Sequence, residues 1–264
     1  MKITLLVDDR ISENLQPEFG LSLLLEFASE SFLFDCGADS ALKNNLQALR
    51  IAPGKISKVI LSHGHYDHTG GLKHLQVERI YCVKSVTQDH YSFHSADDVH
   101  FIAMPPAAKK VFDDSEKFYI DSFTEIAPGI YSTGPIPRWS FEDCGGKFFH
   151  DSKCTVPDKV DEEHAILTAD GVLITGCCHA GVINTVSYCR KVHNRIAIHT
   201  IVGGLHLRRA SDERLRETAD FLRINQIKNL YLMHCTGSDA IQKLRELLPE
   251  CNIYTPLPGE SWEC

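Results

Sequence analysis

Three histidines, His179, His206 and His234, stand 27 and 28 residues apart, each just after a short apolar run that reads as a buried strand. That interval is one strand plus one helix, so the same topological position recurs three times. A lone histidine of this kind is usually structural, but residues delivered from successive strand ends meet at one edge of a sheet, where α/β folds place their sites. The surrounding sequence fits. The last hundred residues read as a hairpin (AILTAD, GVLIT), a helix beginning near CCHAGVINTV, a strand (IAIHTIV), a helix (SDERLRETADFLRIN), a strand (NLYLM) and a final helix (SDAIQKLRELL). The first third reads as strands over 2–7, 21–27 and 31–34 and a helix over 40–50 with Leu42, Leu46 and Leu49 at helical spacing. A turn then leads into the strand KVILS. Residues 85–163 are punctuated by Gly and Pro and read as irregular. With no repeat and no linker, the expectation is one domain over 1–264, with a substrate-covering insertion around 85–163.

Composition narrows the function classes. The chain has 264 residues, 27 Lys+Arg against 35 Asp+Glu, and a formal net charge of −8. That acidic balance argues against coating nucleic acid or anionic membrane. No run approaches the roughly 18 apolar residues of a membrane span. The start, MKITLLVDDR, reads as a first strand rather than an export signal, so the expected compartment is the cytoplasm. There the ten cysteines read as reduced thiols, and Cys177 and Cys178 are adjacent, which is poor geometry for a mutual bridge.

The densest chemistry is His63-Gly64-His65-Tyr66-Asp67-His68, directly after KVILS. Four possible ligands in six residues at a strand end suit Zn²⁺ or a similar first-row ion. Gly64 permits a tight turn and Gly70-Gly71 an entry into the next helix. The other histidines, His90 and His164 included, read as structural or surface. Cys178 and Cys235, beside His179 and His234, could be ligands, but read better as small buried hydrophobes.

The HxHxDH run with its downstream histidines resembles the metallo-β-lactamase fold superfamily of metal-dependent hydrolases over almost the whole chain. FDCG at 34–37 is similar to its strand-end Asp-x-Gly, which implies that Asp35 orders the ligand loop. GLS at 20–22, TGPIPR through Glu142, TGCCHAGVINTV, GGLHL and MHCTG together resemble the dihydropteroate-synthase-related subfamily. That group includes the archaeal 7,8-dihydropterin-6-methyl-4-(β-D-ribofuranosyl)-aminobenzene-5'-phosphate synthase. The resemblance implies a four-layer αβ/βα sandwich of the α/β class, with two divalent ions, Zn foremost and Mn, Fe or Ni as alternatives. His63, His65 and His179 would hold one ion, and Asp67, His68 and His234 the other. Many relatives bridge the ions with an aspartate at the fourth strand end. Here that end reads Gly203-Gly204-Leu205-His206, with no acid before Asp212. His206 is then either a ligand or a group facing the substrate.

The implied activity is hydrolysis of a small phosphorylated or heterocyclic substrate by water acidified between two cations. Asp67 would orient it or take its proton, and His206 would serve the oxyanion or leaving group. A redox di-iron site is disfavoured because position 65 is His where that branch has Glu. On residues alone the loop carrying Arg138, Trp139 and Glu142 is an ordinary surface loop. The resemblance makes it a lid, with Arg138 for an anionic group, Glu142 for ring N–H groups and Trp139 for stacking on a flat ring. The alternatives are a transferase joining a pterin diphosphate to an arylamine, and a metal-binding sensor without catalysis. The expected partner is a small molecule rather than nucleic acid or membrane, and the oligomeric state is left open.

Overall fold

The chain enters one sheet with six residues, β1 (Lys2–Val7), five of them buried, and returns to the same sheet with its last strand, β18 (Ser261–Glu263). The computed structural model describes residues 1–95, 97–143 and 145–264. It divides into two compact units: Met1–Tyr119 with Phe148–Asp158 and Pro256–Cys264, and Ile120–Lys147 with Lys159–Thr255.

In the first unit, β2 (Ser22–Glu26), β3 (Ser31–Phe34), β4 (Lys58–Ile60), β5 (Arg79–Cys82) and β8 (Glu116–Tyr119) complete a seven-stranded sheet in the order β18-β1-β2-β3-β4-β5-β8. Pairing is antiparallel from β18 to β3 and parallel from β3 to β8. Parallel neighbours need crossovers, and helix α1 (Ala41–Ala48) supplies one of them between β3 and β4. Its leucines behave as their spacing predicts. Leu42 and Leu46 are buried in the unit's core with Leu33, Val59 and Ile80, and Leu49 packs at the edge. Burying each such leucine is worth about 1.5–3 kcal/mol.

The second unit repeats the pattern of antiparallel strands followed by parallel ones. β9 (Thr124–Ala127), β10 (Ile130–Ser132), β13 (Ile166–Thr168) and β14 (Val172–Thr175) pair antiparallel. β14, β15 (Thr200–Gly203), β16 (Asn229–Leu232) and β17 (Asn252–Tyr254) pair parallel. The crossovers carry α4 (Val182–Val192), α5 (Asp212–Ile224) and α6 (Ser238–Leu247), whose apolar faces join Leu173, Ile201 and Leu230 in the core. Ser211 caps α5, its hydroxyl accepting from Arg214 N at 3.2 Å. Each predicted strand–helix step of this half is present, although the strand expected from IAIHTIV is confined to Thr200–Gly203.

Residues 85–163 are more regular than their punctuation suggests. Pro105-Pro106 opens helix α3 (Pro106–Asp114), because a proline in the first turn gives up only an N–H that has no helical partner there. The strands β6 (Tyr91–Ser95) and β7 (Asp98–Phe101) pair antiparallel. They are extended by β11 (Phe148–Phe149) and β12 (Pro157–Asp158) into a four-stranded sheet within the first unit. These strands are half exposed on both faces, so no period-two pattern marked them. Among the described residues no helix is long and apolar enough to cross a membrane.

Candidate metal centre

The ligand-rich loop follows β4 and is pinned at both ends. Tyr66 N donates to the Ile102 carbonyl at 2.8 Å, and Thr69 Oγ1 donates to the His65 carbonyl at 2.9 Å, closing the single turn α2 (Tyr66–Thr69). His63, His65, Asp67 and His68 are all buried. The His63 ring lies 4.6 Å from that of His65 and 4.2 Å from that of His68.

Asp35 sets the protonation pattern of this group. It is fully buried at the end of β3 with a left-handed backbone, φ 57°. Its Oδ1 accepts from Ser62 N at 2.7 Å. Its Oδ2 accepts from the Ser62 hydroxyl at 2.7 Å and lies 2.7 Å from His68 Nδ1. A carboxylate only accepts, so His68 Nδ1 carries a proton and the lone pair sits on Nε2. The Ser62 hydroxyl has one proton and gives it to Asp35, so His63 Nδ1, 2.9 Å away, donates to Ser62. His63 therefore also presents its lone pair at Nε2. On the far side, His68 Nε2 faces Asp67 Oδ2 at 3.7 Å. Two buried acceptors facing each other suit a cation held between them, and imidazole with carboxylate is the donor chemistry of zinc-type ions.

His90, taken from the sequence as structural or surface, is fully buried. Its Nδ1 lies 2.6 Å from Asp158 Oδ2, and its ring stands perpendicular to that of His65 at 5.1 Å. Donor atoms of His65, His90 and Asp158 lie within 4.8 Å of one another. Phe148 approaches the His65 ring to 5.2 Å. Nothing in the sequence couples His90 to an aspartate 68 positions later. The pairing of β11 with both β6 and β12 does so.

In the second unit, His179, His206 and His234 follow the ends of the parallel strands β14, β15 and β16, as their spacing predicts, and Cys177 also follows β14. The backbone there is left-handed at Cys178 (φ 61°), His206 (φ 47°) and His234 (φ 49°). For residues with a Cβ this is strained, and strain of this kind gathers at functional loops. The His179 and His206 rings are 4.4 Å apart. Donor atoms of Cys177, His179 and His206 lie within 4.8 Å of one another, and so do those of Cys177, His234 and Cys235.

The three expected substrate contacts frame this loop. Arg138 donates from Nη1 to the His179 carbonyl and from Nη2 to the Lys159 carbonyl, and its Nε lies 3.7 Å from Asp161 Oδ1. Opposite it, the buried Glu163 accepts from His179 N and Ala180 N, each at 2.7 Å. Burial pushes the Glu163 carboxyl up to about 7 against the pull of those two N–H groups and Arg138. The sequence reading missed Glu163 because a buried clamp has no motif. Glu142 Oε2 accepts from Asn184 N at 3.1 Å in the first turn of α4, and burial raises its pKa. Trp139, 52% exposed, lies edge-on to Tyr188, and the Lys191 ammonium stands 4.5 Å from its ring centre. His164 is buried, with Nδ1 2.8 Å from Ser132 Oγ.

Residues 15–153 match the family model of the metallo-beta-lactamase superfamily. The chain is 31% identical to the uncharacterized protein MJ0448 of Methanocaldococcus jannaschii, over 93% of this chain and 94% of that one. It therefore belongs to the metallo-β-lactamase superfamily and has its mixed α/β fold. Within that superfamily it is 29% identical to 7,8-dihydropterin-6-methyl-4-(beta-D-ribofuranosyl)-aminobenzene-5'-phosphate synthase of the same organism, over 95% of this chain and 92% of that protein. Among solved structures it is similar to Tm1679, described as a metal-dependent hydrolase of the beta-lactamase superfamily. That match has a TM-score of 0.88 and 26% identity, and covers 100% of this chain and 99% of that one.

Proposed function

We propose that the chain is a metal-dependent hydrolase that binds two divalent ions through His63, His65, Asp67, His68, His179 and His234, and acts on a small phosphorylated or heterocyclic substrate. The observation that supports this most is the tautomer pattern imposed by Asp35 and Ser62. It points the lone pairs of His63 and His68 through Nε2 and sets His68 against Asp67 in a buried pocket of acceptors. Divalent ions, zinc foremost, supply Lewis acidity and bring the pKa of water towards neutrality. Asp67 orients the attacking water and takes its proton. His206, less buried than the other histidines of these loops, hydrogen-bonds the developing oxyanion or the leaving group. Arg138 and Glu163 hold the His179 peptide from both sides and so fix where that imidazole points. Trp139 offers half an exposed indole to a flat substrate ring.

A second reading, a synthase joining a pterin diphosphate to an arylamine, is favoured by the 29% identity to the archaeal enzyme of that name. Product analysis separates the two. Zinc-loaded protein is incubated with model phosphodiesters, phosphomonoesters and a pterin diphosphate, each with and without an arylamine. The hydrolase reading predicts water-derived products whose yield ignores the amine. An amine adduct, with no turnover when the amine is omitted, would establish the synthase instead.

A further inference from the structure

We propose that Cys177 is a metal ligand, its thiolate supplying the negative charge that the fourth strand end lacks; this rests on the metal-binding reading above. At Gly203 and Gly204 a carboxylate side chain is excluded by crowding. β15 runs parallel to β14 with Gly203 opposite Thr175, and Gly204 N donates to the Gly176 carbonyl at 2.9 Å. A Cβ on Gly204 would stand 2.4 Å from Cys235 Sγ and 2.6 Å from the Gly176 oxygen, with Cys177 Cα at 3.4 Å. A Cβ on Gly203 would stand 2.0 Å from the Thr175 carbonyl. No aspartate fits at either position without moving backbone. The end of the neighbouring strand occupies the room, and the residue it delivers there is Cys177.

Cys177 is buried and belongs to two donor sets in this unit, one with His179 and His206 and one with His234 and Cys235. Zinc holds sulfur at about 2.3 Å and nitrogen at about 2.0–2.1 Å, so donors within 4.8 Å of one another need only small side-chain rotations to share an ion. Of the neighbouring cysteines, Cys235 is engaged with backbone and Cys178 is turned into the core. Cys235 Sγ donates to the Cys177 carbonyl at 3.5 Å, and Cys178 Sγ lies 3.6 Å from Thr185 Oγ1 among the core side chains. On binding, the S–H bond breaks, the proton passes to solvent and the sulfur electron pair forms the metal bond. A thiolate beside imidazoles also narrows the choice of metal, favouring zinc over manganese.

Cobalt(II) is the probe. Loaded into the apoprotein, it gives a near-ultraviolet sulfur-to-cobalt charge-transfer band in the wild type. The band disappears in Cys177→Ser and survives in Cys178→Ser and Cys235→Ser. Chelator competition shows at least a roughly tenfold loss of zinc affinity in Cys177→Ser, with circular dichroism confirming its fold. X-ray absorption of the wild-type zinc form needs no variant and shows a sulfur shell at about 2.3 Å. Metal bound at full stoichiometry with no sulfur shell overturns the thiolate and leaves the metal reading standing. A band lost in Cys235→Ser but kept in Cys177→Ser overturns the assignment to Cys177. A wild type that binds no metal overturns both.

Discussion

Asp35→Asn is expected to abolish tight metal binding while leaving the chain folded. The buried Ser62 N–H needs an acceptor, so the asparagine places its oxygen where Oδ1 stands and its NH₂ where Oδ2 stands. The NH₂ now donates to Ser62 Oγ and His68 Nδ1, the two groups that previously donated to Asp35. His68 must accept at Nδ1, which moves its proton to Nε2. Ser62 turns its hydroxyl proton towards His63 Nδ1, and His63 shifts in the same way. One isosteric change thus removes the metal-facing lone pair from two histidines it does not replace. The expected result is a loss of zinc affinity of roughly 10–100-fold or more with a melting temperature near that of the wild type, measured by chelator competition and thermal unfolding. Unchanged affinity would show that these tautomers do not matter to the metal.

Gly70→Ala is expected to be the most destabilising conservative change in the ligand loop. A Cβ at Gly70 would stand 1.9 Å from the Ala38 carbonyl oxygen and 2.7 Å from its carbon. Both are backbone atoms, which no rotamer change relieves. The neighbouring Gly71 is as crowded, 2.0 Å from the Cys36 carbonyl oxygen. Either the loop or the segment after β3 must move, at a cost of about 3 kcal/mol or more. For a chain of this size that lowers the melting temperature by roughly 6–12 °C. Gly54→Ala is the control, since a Cβ there meets nothing within 4 Å, and it should leave the melting temperature unchanged. A Gly70→Ala protein as stable as Gly54→Ala would refute the close packing of this loop.

The parts of this molecule that were legible in the sequence are those whose signal is local or periodic. The strand–helix alternation of the second unit, the leucine face of α1 and the histidines at strand ends all fall in this class, because each depends on neighbours a few residues away. What stayed hidden depends on chain segments meeting from afar. His90 gains its role from Asp158 through a strand pairing with no sequence signature. Arg138 read as a receptor for a substrate anion because its residue type suits one, and here it meets the carbonyls of His179 and Lys159 and the carboxylate of Asp161. Cys177 reads in the sequence as one of an adjacent pair of thiols, and its place among donor atoms of His179, His206 and His234 needs the strand ends of the second unit to meet. Asp35 was visible as a loop-ordering acid, but its control of two histidine tautomers needs the position of Ser62.

The central claim is that these donors bind metal, and the direct measurement is the metal content of the wild-type protein by elemental mass spectrometry after equilibration with zinc and gel filtration. The six ligands proposed above predict about two ions per chain, both removed by a strong chelator and both restored on reloading. One ion or none per folded chain would contradict the two-metal account and the hydrolytic chemistry built on it.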